Sequence, residues 1–312
     1  MNTDLTTPPL TAAPRFRLKL FPLVIVTALG VAVPYLAAYL AFFSSKVFHT
    51  PSPRGPTLPW LYMQHALQFL IALAAIAIVK RRVQADYGLH WPRGKTYIAP
   101  AALWGALFGV IMTLVDYAPQ LIAHSKPDLG YPLTTANVVG WLFFESVYVG
   151  PTEEVLFRGL LVTYLAATMP GKLRVGRFEM NWAGVIVALI FALLHAANFN
   201  LRAWPTALGQ QIYAFMLGVL YAYWLEKSQS VVAPIVGHNV SDGVEYAIVF
   251  LWIALLRWPQ PSRNQAAYSP CPSLSIRAGV VRRRPGGGGE YAQNHCERIS
   301  DPGRRHAGSR RP

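Results

Sequence analysis

Residues 20–43 read LFPLVIVTALGVAVPYLAAYLAFF and contain no charged side chain. A helix needs about 20 mostly apolar residues to cross the hydrocarbon core of a bilayer. Arg15, Arg17 and Lys19 precede the stretch, as in a secretory signal, but the stretch is too long for one and lacks a convincing small-residue cleavage site. Residues 20–43 therefore predict a membrane-spanning helix.

Similar apolar stretches recur along the chain. The composition agrees with a membrane protein, since 53% of the residues are hydrophobic and 13% are charged. The pattern predicts an all-α fold, a polytopic transmembrane helical bundle with seven spans, or eight if Gly150 and Pro151 break the fourth span in two. The predicted spans are 20–43, 58–79, 97–122, 136–169, 183–198, 206–225 and 231–256.

Basic residues mark some of the predicted loops. Lys80, Arg81 and Arg82 follow the second span, and Lys172 and Arg174 follow the fourth. Because short loops rich in Lys and Arg remain in the cytoplasm, the N-terminus is predicted to be cytoplasmic. The chain is predicted to be an integral multi-pass protein of the bacterial plasma (inner) membrane.

The net charge of +14 is concentrated near the C-terminus. Beyond Gln260 there are ten Arg, no Lys and three acidic residues, so this part alone carries +7. Its composition predicts a disordered tail, either touching anionic lipid or translated out of an ancestral reading frame. Both cysteines, Cys271 and Cys296, lie there, so the membrane core is predicted to have neither a disulfide framework nor a cysteine nucleophile.

Ionisable side chains inside a span are costly, and each one is a functional candidate. Residues 150–159 read GPTEEVLFRG and place two glutamates side by side. Arg158 follows Glu154 by one helical turn, so the two can form an ion pair. Glu153 then points elsewhere and is free to act as a general base or acid. Glu145 lies roughly 80° away around an unbroken helix and could touch the same site.

Two later spans carry further polar side chains. His195 and Asn198 end an apolar helix, and His238 is followed at helical spacing by Asp242 and Glu245. A carboxylate one turn from a histidine can fix the tautomer and orientation of its ring. Such residues also occur as buried structural histidines or as polar seams between helices.

Together these residues predict a site that activates water, by one of two mechanisms. A divalent metal such as zinc would take Glu154, His195 and His238 as ligands and leave one position for water. Without a metal, Glu153 and a histidine would activate the water. His238 with Asn239 or Asp242 would then stabilise the oxyanion.

The order of these motifs resembles that of the CPBP family of intramembrane proteases. This family includes the type II CAAX prenyl endopeptidases and bacteriocin-processing or immunity proteins. The resemblance covers about residues 80–256. The motifs that carry it are Glu153-Glu154-x-x-x-Arg158, Phe191-x-x-x-His195 and His238-x-x-x-Asp242.

The resemblance implies an intramembrane endopeptidase that cleaves membrane-associated substrates, including prenylated CAAX-type ones. It implies that Glu153 and His195 bind the catalytic water, and that His238 and the residue four positions later form the oxyanion site. Many family members have Asn at that last position, where this chain has Asp242. Members are described as metalloproteases. The predicted organisation is an N-terminal cytoplasmic segment (1–19), N-terminal transmembrane helices (20–130), a CPBP-like catalytic helical core (131–258) and a disordered Arg/Pro/Gly-rich tail (259–312).

Two other functions are compatible with these residues. One is a noncatalytic membrane-protein partner, or an immunity-type protein of the same fold. The other is a proton-coupled transporter, although the polar groups lie in the second half only, without the paired repeats of many transporters. The predicted partners are a membrane-associated peptide or protein substrate and the lipid bilayer, with no nucleic acid. Two remaining ionisable residues, His65 and Asp116, are predicted to lie at the membrane interface.

Overall fold

The computed structural model describes residues 18–47, 57–176 and 178–255, with the side chains of 45–47 left out. The predicted disordered tail with its two cysteines, and nearly all of the predicted N-terminal segment, lie outside the described residues. The described part is mostly helical, as predicted. Its long helices are α1 (Leu20–Val47), α2 (Leu58–Val79), α3 (Ile98–Asp116), α8 (Trp182–Leu194), α9 (Trp204–Ser228) and α10 (Val232–Leu255), and α4 (Ala118–Ile122) is a single short turn.

Four helical stretches within the described residues are long and apolar enough to cross a membrane. This finding supports the prediction of an integral membrane protein. The count of seven to eight spans and the cytoplasmic N-terminus stay predictions. The four stretches are Leu20–Ser44, Leu58–Val79, Ile98–Asp116 and Trp182–Asn200.

The helix between α4 and α8 continues through Gly150 and Pro151, so the break considered from the sequence does not occur. Pro151 has no N–H, which leaves the carbonyl of Val147 without its usual helical donor. Asn239 of α10 supplies the missing partner, since its Nδ2 donates to Val147 O at 3.2 Å. Its Oδ1 accepts from the N–H of Gly150 at 2.9 Å. The successive parts of this helix are α5 (Thr135–Phe143), a π-helical stretch (Phe144–Tyr148), α6 (Val149–Glu154), a second π-helical stretch (Val155–Val162) and α7 (Thr163–Thr168).

Two glycines allow α3 to pack closely against α10. Gly105 and Gly109 are four residues apart, the small-residue spacing that lets membrane helices approach each other. A Cβ at either position would lie 2.5 Å from a backbone oxygen of α10, that of Gly237 or of Ser241. The glycines therefore hold α10 in position, and α10 carries the third polar motif of the sequence.

A short antiparallel hairpin connects α7 to α8. Its strands are β1 (Lys172–Val175) and β2 (Phe178–Asn181). Lys172 Nζ donates to Glu179 Oε1 at 2.7 Å, and Arg174 Nε donates to Glu179 Oε2 at 2.9 Å. These hydrogen bonds, first from Lys172 and then from Arg174, lower the pKa of Glu179 to about 2. The segment predicted as a basic loop is therefore an ordered hairpin.

The loops that carry the basic residues meet at one end of the helix bundle. Lys19, at the start of α1, donates through Nζ to Thr168 O at the end of α7, at 2.7 Å. Val231, just before α10, donates its N–H to Gly88 O in the loop after α2, at 3.0 Å. The hairpin joins the same end, because Asn181 N donates to Glu226 of α9 at 2.6 Å.

We expect Gly109→Ala to destabilise the protein by about 1–3 kcal/mol, the usual cost of overpacking a close contact. The added Cβ would force α10 away from α3, because it would press on Ser241 O and on the side chain of Val244. Thermal unfolding in detergent, followed by tryptophan fluorescence, measures the effect. Gly94→Ala is the matched control, since a Cβ there meets no atom within 4 Å. Equal melting temperatures for the two variants would contradict the packing argument.

Candidate active site

Polar side chains from several helices line one cavity of about 200 Å³. Glu153 reaches it from α6, His195 from the end of α8, and His238 from α10. Asp242 and Glu245 line it as well, which agrees with the prediction that they share a helix face with His238. Candidate residues that are far apart in the sequence thus lie around a single space.

The ion pair between Glu154 and Arg158 is present and fully buried. Arg158 Nη1 donates to Glu154 Oε1 at 2.8 Å, and both residues are 0% exposed. The guanidinium also lies over the rings of Phe191 and Tyr221, at 4.6 and 5.1 Å from their centroids. A buried charge needs such partners, because desolvation of an unpaired ion costs several kcal/mol.

His238 lies between carboxylate groups on both sides of its ring. Its Nδ1 is 2.7 Å from Glu154 Oε1, and its Nε2 is 3.2 Å from Asp242 Oδ2. Glu153 Oε2 is slightly farther from Nε2, at 3.8 Å. A ring that donates from both nitrogens is an imidazolium. Glu154 is therefore placed behind His238, where it orients the ring without reaching the cavity.

His195 has one ring nitrogen fixed by the backbone. Its Nδ1 is 3.0 Å from the carbonyl oxygen of Phe191. A carbonyl can only accept, so Nδ1 carries the proton, and in the neutral ring Nε2 keeps a lone pair. Asn198, predicted as a supporting residue, donates through Nδ2 to Gln210 Oε1 at 2.6 Å, and Gln210 lines the cavity. Asn198 thus orients the side chain of Gln210, which forms part of the cavity wall.

Asn239 does not fit the oxyanion role considered from the sequence. Both ends of its amide are used by Val147 and Gly150, on the helix that contains Pro151. A side chain on residue 150 would collide with Asn239 Oδ1, which explains the glycine at this position. The role of Asn239 is to complete the helix around Pro151.

Ser241 and Tyr221 support the His238 region, although the sequence did not single them out. Ser241 Oγ lies 3.1 Å from Asp242 Oδ1 and 3.2 Å from the hydroxyl of Tyr221. The ring of Tyr221 stacks on that of His238, with centroids 5.6 Å apart and an interplanar angle of 19°. No spacing rule connects Tyr221 on α9 to α10, so only the packing of the two helices shows the contact.

Three other ionisable residues were considered from the sequence. Glu145 lines the cavity, as the sequence allowed, although π-helical stretches interrupt the regular helix from which its angle was estimated. The side chain of Asp116, at the end of α3, is only 5% exposed and lines the same cavity, and its place at the membrane interface stays a prediction. His65 is also buried, and its Nδ1 donates to Thr152 Oγ1 at 2.9 Å. The hydroxyl of Thr152 donates in turn to Val149 O at 2.7 Å, which requires the proton on Nδ1 of His65.

The predicted zinc ligands do not fit the observed arrangement. Within the described residues, no group of three His, Cys, Asp or Glu side chains is placed to hold a metal ion. Oε1 of Glu154 already accepts from Arg158 and from His238 Nδ1. A shared metal would have to displace these hydrogen bonds.

We expect Arg158→Met to destabilise the protein by about 3–5 kcal/mol, because it leaves the Glu154 carboxylate buried without its cationic partner. Thermal unfolding in detergent measures the loss. Arg174→Met is the matched control, since Arg174 pairs with Glu179 on the exposed hairpin and should shift the melting temperature much less. The double variant Glu154→Gln/Arg158→Met should recover part of the stability, because it removes both buried charges. A small effect of Arg158→Met alone would contradict the importance assigned to the pair.

Comparison with known proteins agrees with this arrangement. Residues 135–244 match the family model described as type II CAAX prenyl endopeptidase Rce1-like, and this range contains all three motifs of the sequence. Neither the curated proteins nor the solved structures gave a significant match. The CPBP family indicated by the motifs is thus confirmed for this segment: residues 135–244 carry an Rce1-like domain, and the Rce1-like family is a family of proteases.

Proposed function

We propose that the chain is an intramembrane endopeptidase in which Glu153 and His195 activate a water molecule for attack on a peptide bond. One observation carries the proposal: Glu153, His195 and His238 line the same cavity within the helices. The family description supports peptides of membrane-associated, prenylated CAAX-type proteins as substrates.

The first step uses a general base. The lone pair on His195 Nε2 and the carboxylate of Glu153 orient the water, and Glu153 takes its proton. The water oxygen attacks the carbonyl carbon of the scissile bond. The proton then passes from Glu153 to the leaving nitrogen as the C–N bond breaks, which releases an amine and a carboxylic acid that loses its proton to solvent.

His238 stabilises the negative charge that develops on the substrate oxygen. Its Nε2–H donor faces the cavity between Asp242 and Glu153, and the oxyanion would accept from it in the transition state. Glu154 holds the ring in place through Nδ1, and the oxyanion would take over the Nε2–H from Asp242. Glu154, Arg158 and Ser241 contribute indirectly, by fixing the ring and the Asp242 carboxylate.

We expect Glu153→Gln and His195→Ala each to lower kcat/KM for peptide hydrolysis by at least about 10²-fold, the usual contribution of general acid–base catalysis. The assay uses purified protein in detergent with a prenylated CAAX-type peptide and a panel of membrane peptides. Glu179→Gln is the matched control, because it removes a carboxylate from the hairpin and should leave cleavage unchanged.

The same assay separates the enzyme from the other candidate functions. Unchanged hydrolysis in both Glu153→Gln and His195→Ala would refute the mechanism. If the wild-type protein cleaves none of the peptides, yet a membrane-protein partner still binds the correctly folded Glu153→Gln variant, the chain is a noncatalytic partner of the same fold. Proton flux in proteoliposomes that disappears with Glu153→Gln would indicate a transporter.

We expect cleavage to persist after exhaustive chelation, because the mechanism assigns every step to side chains and two of the predicted zinc ligands, Glu154 and His238, are hydrogen-bonded to each other. Metal analysis of the purified protein, with activity measured before and after treatment with 1,10-phenanthroline, tests this expectation. Loss of activity that added zinc restores would show instead that Glu154, His195 and His238 rearrange around a metal.

A further inference from the structure

A second polar cluster lies at the far end of the catalytic cavity. Arg202 Nη1 donates to Asp116 Oδ2 at 2.5 Å, and the hydroxyl of Tyr213 lies 3.1 Å from both carboxylate oxygens of Asp116. The proposed hydrolysis uses none of these three residues, although all of them line the cavity.

The cluster separates the catalytic cavity from a larger one of about 920 Å³. The larger cavity is lined by the start of α2, by the loop 128–131 and by the segment 201–203 before α9. Asp116 and Arg202 belong to the walls of both cavities, as do Tyr117 and Tyr246. A peptide that extends from one cavity into the other therefore passes Arg202.

Arg202 differs in charge from its surroundings. Among the described residues that line either cavity, it is the only Arg or Lys. The other ionisable side chains of the catalytic cavity include the carboxyl groups of Glu145, Glu153, Asp242 and Glu245. Asp116 offsets the charge of Arg202, so an anionic group on a peptide would be drawn by the unused N–H groups of the guanidinium, while the other carboxylates would repel it.

The guanidinium of Arg202 has N–H donors that its hydrogen bond to Asp116 does not use. It carries five N–H groups in a planar fork, and its side chain is 39% exposed although Nη1 bonds to Asp116. Asp116 is shared with Tyr213, so Arg202 is held in place by one carboxylate while a second edge of the fork can bind another. Arg binds carboxylates in this bidentate manner more specifically than Lys does.

The geometry points to Arg202 as the binding site for the free C-terminal carboxylate of a peptide substrate. This inference rests on the proposed peptidase function and adds a specificity-determining residue to it. Arg202 would attract the terminal carboxylate, and the carboxyl groups of the catalytic cavity would repel it. Both effects favour binding of the terminus at Arg202.

The test compares two peptides that differ only in their last group, a carboxylate in one and a carboxamide in the other. For the wild-type protein we expect kcat/KM to be at least about tenfold higher with the carboxylate, as expected for loss of a charge-assisted hydrogen bond. Arg202→Gln should bring the ratio close to one, mainly by slowing cleavage of the carboxylate peptide. Arg202→Lys should restore part of the preference, because it keeps the charge and loses the fork.

Two controls keep the outcome decisive. Arg174→Gln removes an exposed cation from the hairpin and should leave the ratio unchanged. Binding of both peptides to Glu153→Gln, measured by fluorescence anisotropy, tests the subsite without hydrolysis. Thus absence of cleavage with a preserved binding preference defeats the proposed function alone. If the wild-type protein cleaves the two peptides with equal kcat/KM, and Glu153→Gln binds them with equal affinity, Arg202 is not a carboxylate-binding site. This outcome is decisive even if Arg202→Gln fails to fold.

Discussion

The buried hydrogen bonds from Arg158 to Glu154 and from His238 to Glu154 are the interaction on which the rest of the site depends. They join the middle of one helix to the beginning of α10, and Oε1 of Glu154 serves both donors. In a low-dielectric interior, removing any one member leaves another charge without a partner. The pair of adjacent glutamates therefore divides its work: Glu154 holds the histidine in place, and Glu153 faces the cavity.

This division depends on an unusual helix. Regular helical turns would be interrupted at Pro151, but Asn239 completes the hydrogen bonding there, and π-helical stretches lie on both sides of α6. Such stretches are rare and occur frequently at functional sites. The glycines of α3 contribute by allowing close packing of α3 against α10. This packing holds α10 where Asn239 and His238 can contact the helix that contains Pro151.

Local spacing predicted what lies within one helix. The four-residue interval identified the pair of Glu154 with Arg158 and the pair of His238 with Asp242, and the apolar runs identified a helical membrane protein. Contacts between helices could not be predicted in this way. The burial of Asp116, the function of Asn239 and the stacking of Tyr221 on His238 depend on which helices are neighbours, and a single sequence does not contain that information. Glu145 lines the cavity as its spacing from Glu153 allowed, although the helix is not regular there.

The larger cavity lies at one end of the helix bundle, and its position bears on the route by which a substrate would enter. It is lined by the start of α2, the residues that follow α3 and the start of α9, whereas the basic loops and the hairpin lie at the opposite ends of these helices. Under the proposed function, a peptide tail that enters through this cavity would approach from the end of the bundle opposite the basic loops. The short fragment cut from it would leave through the same opening, so substrate and product would share one route.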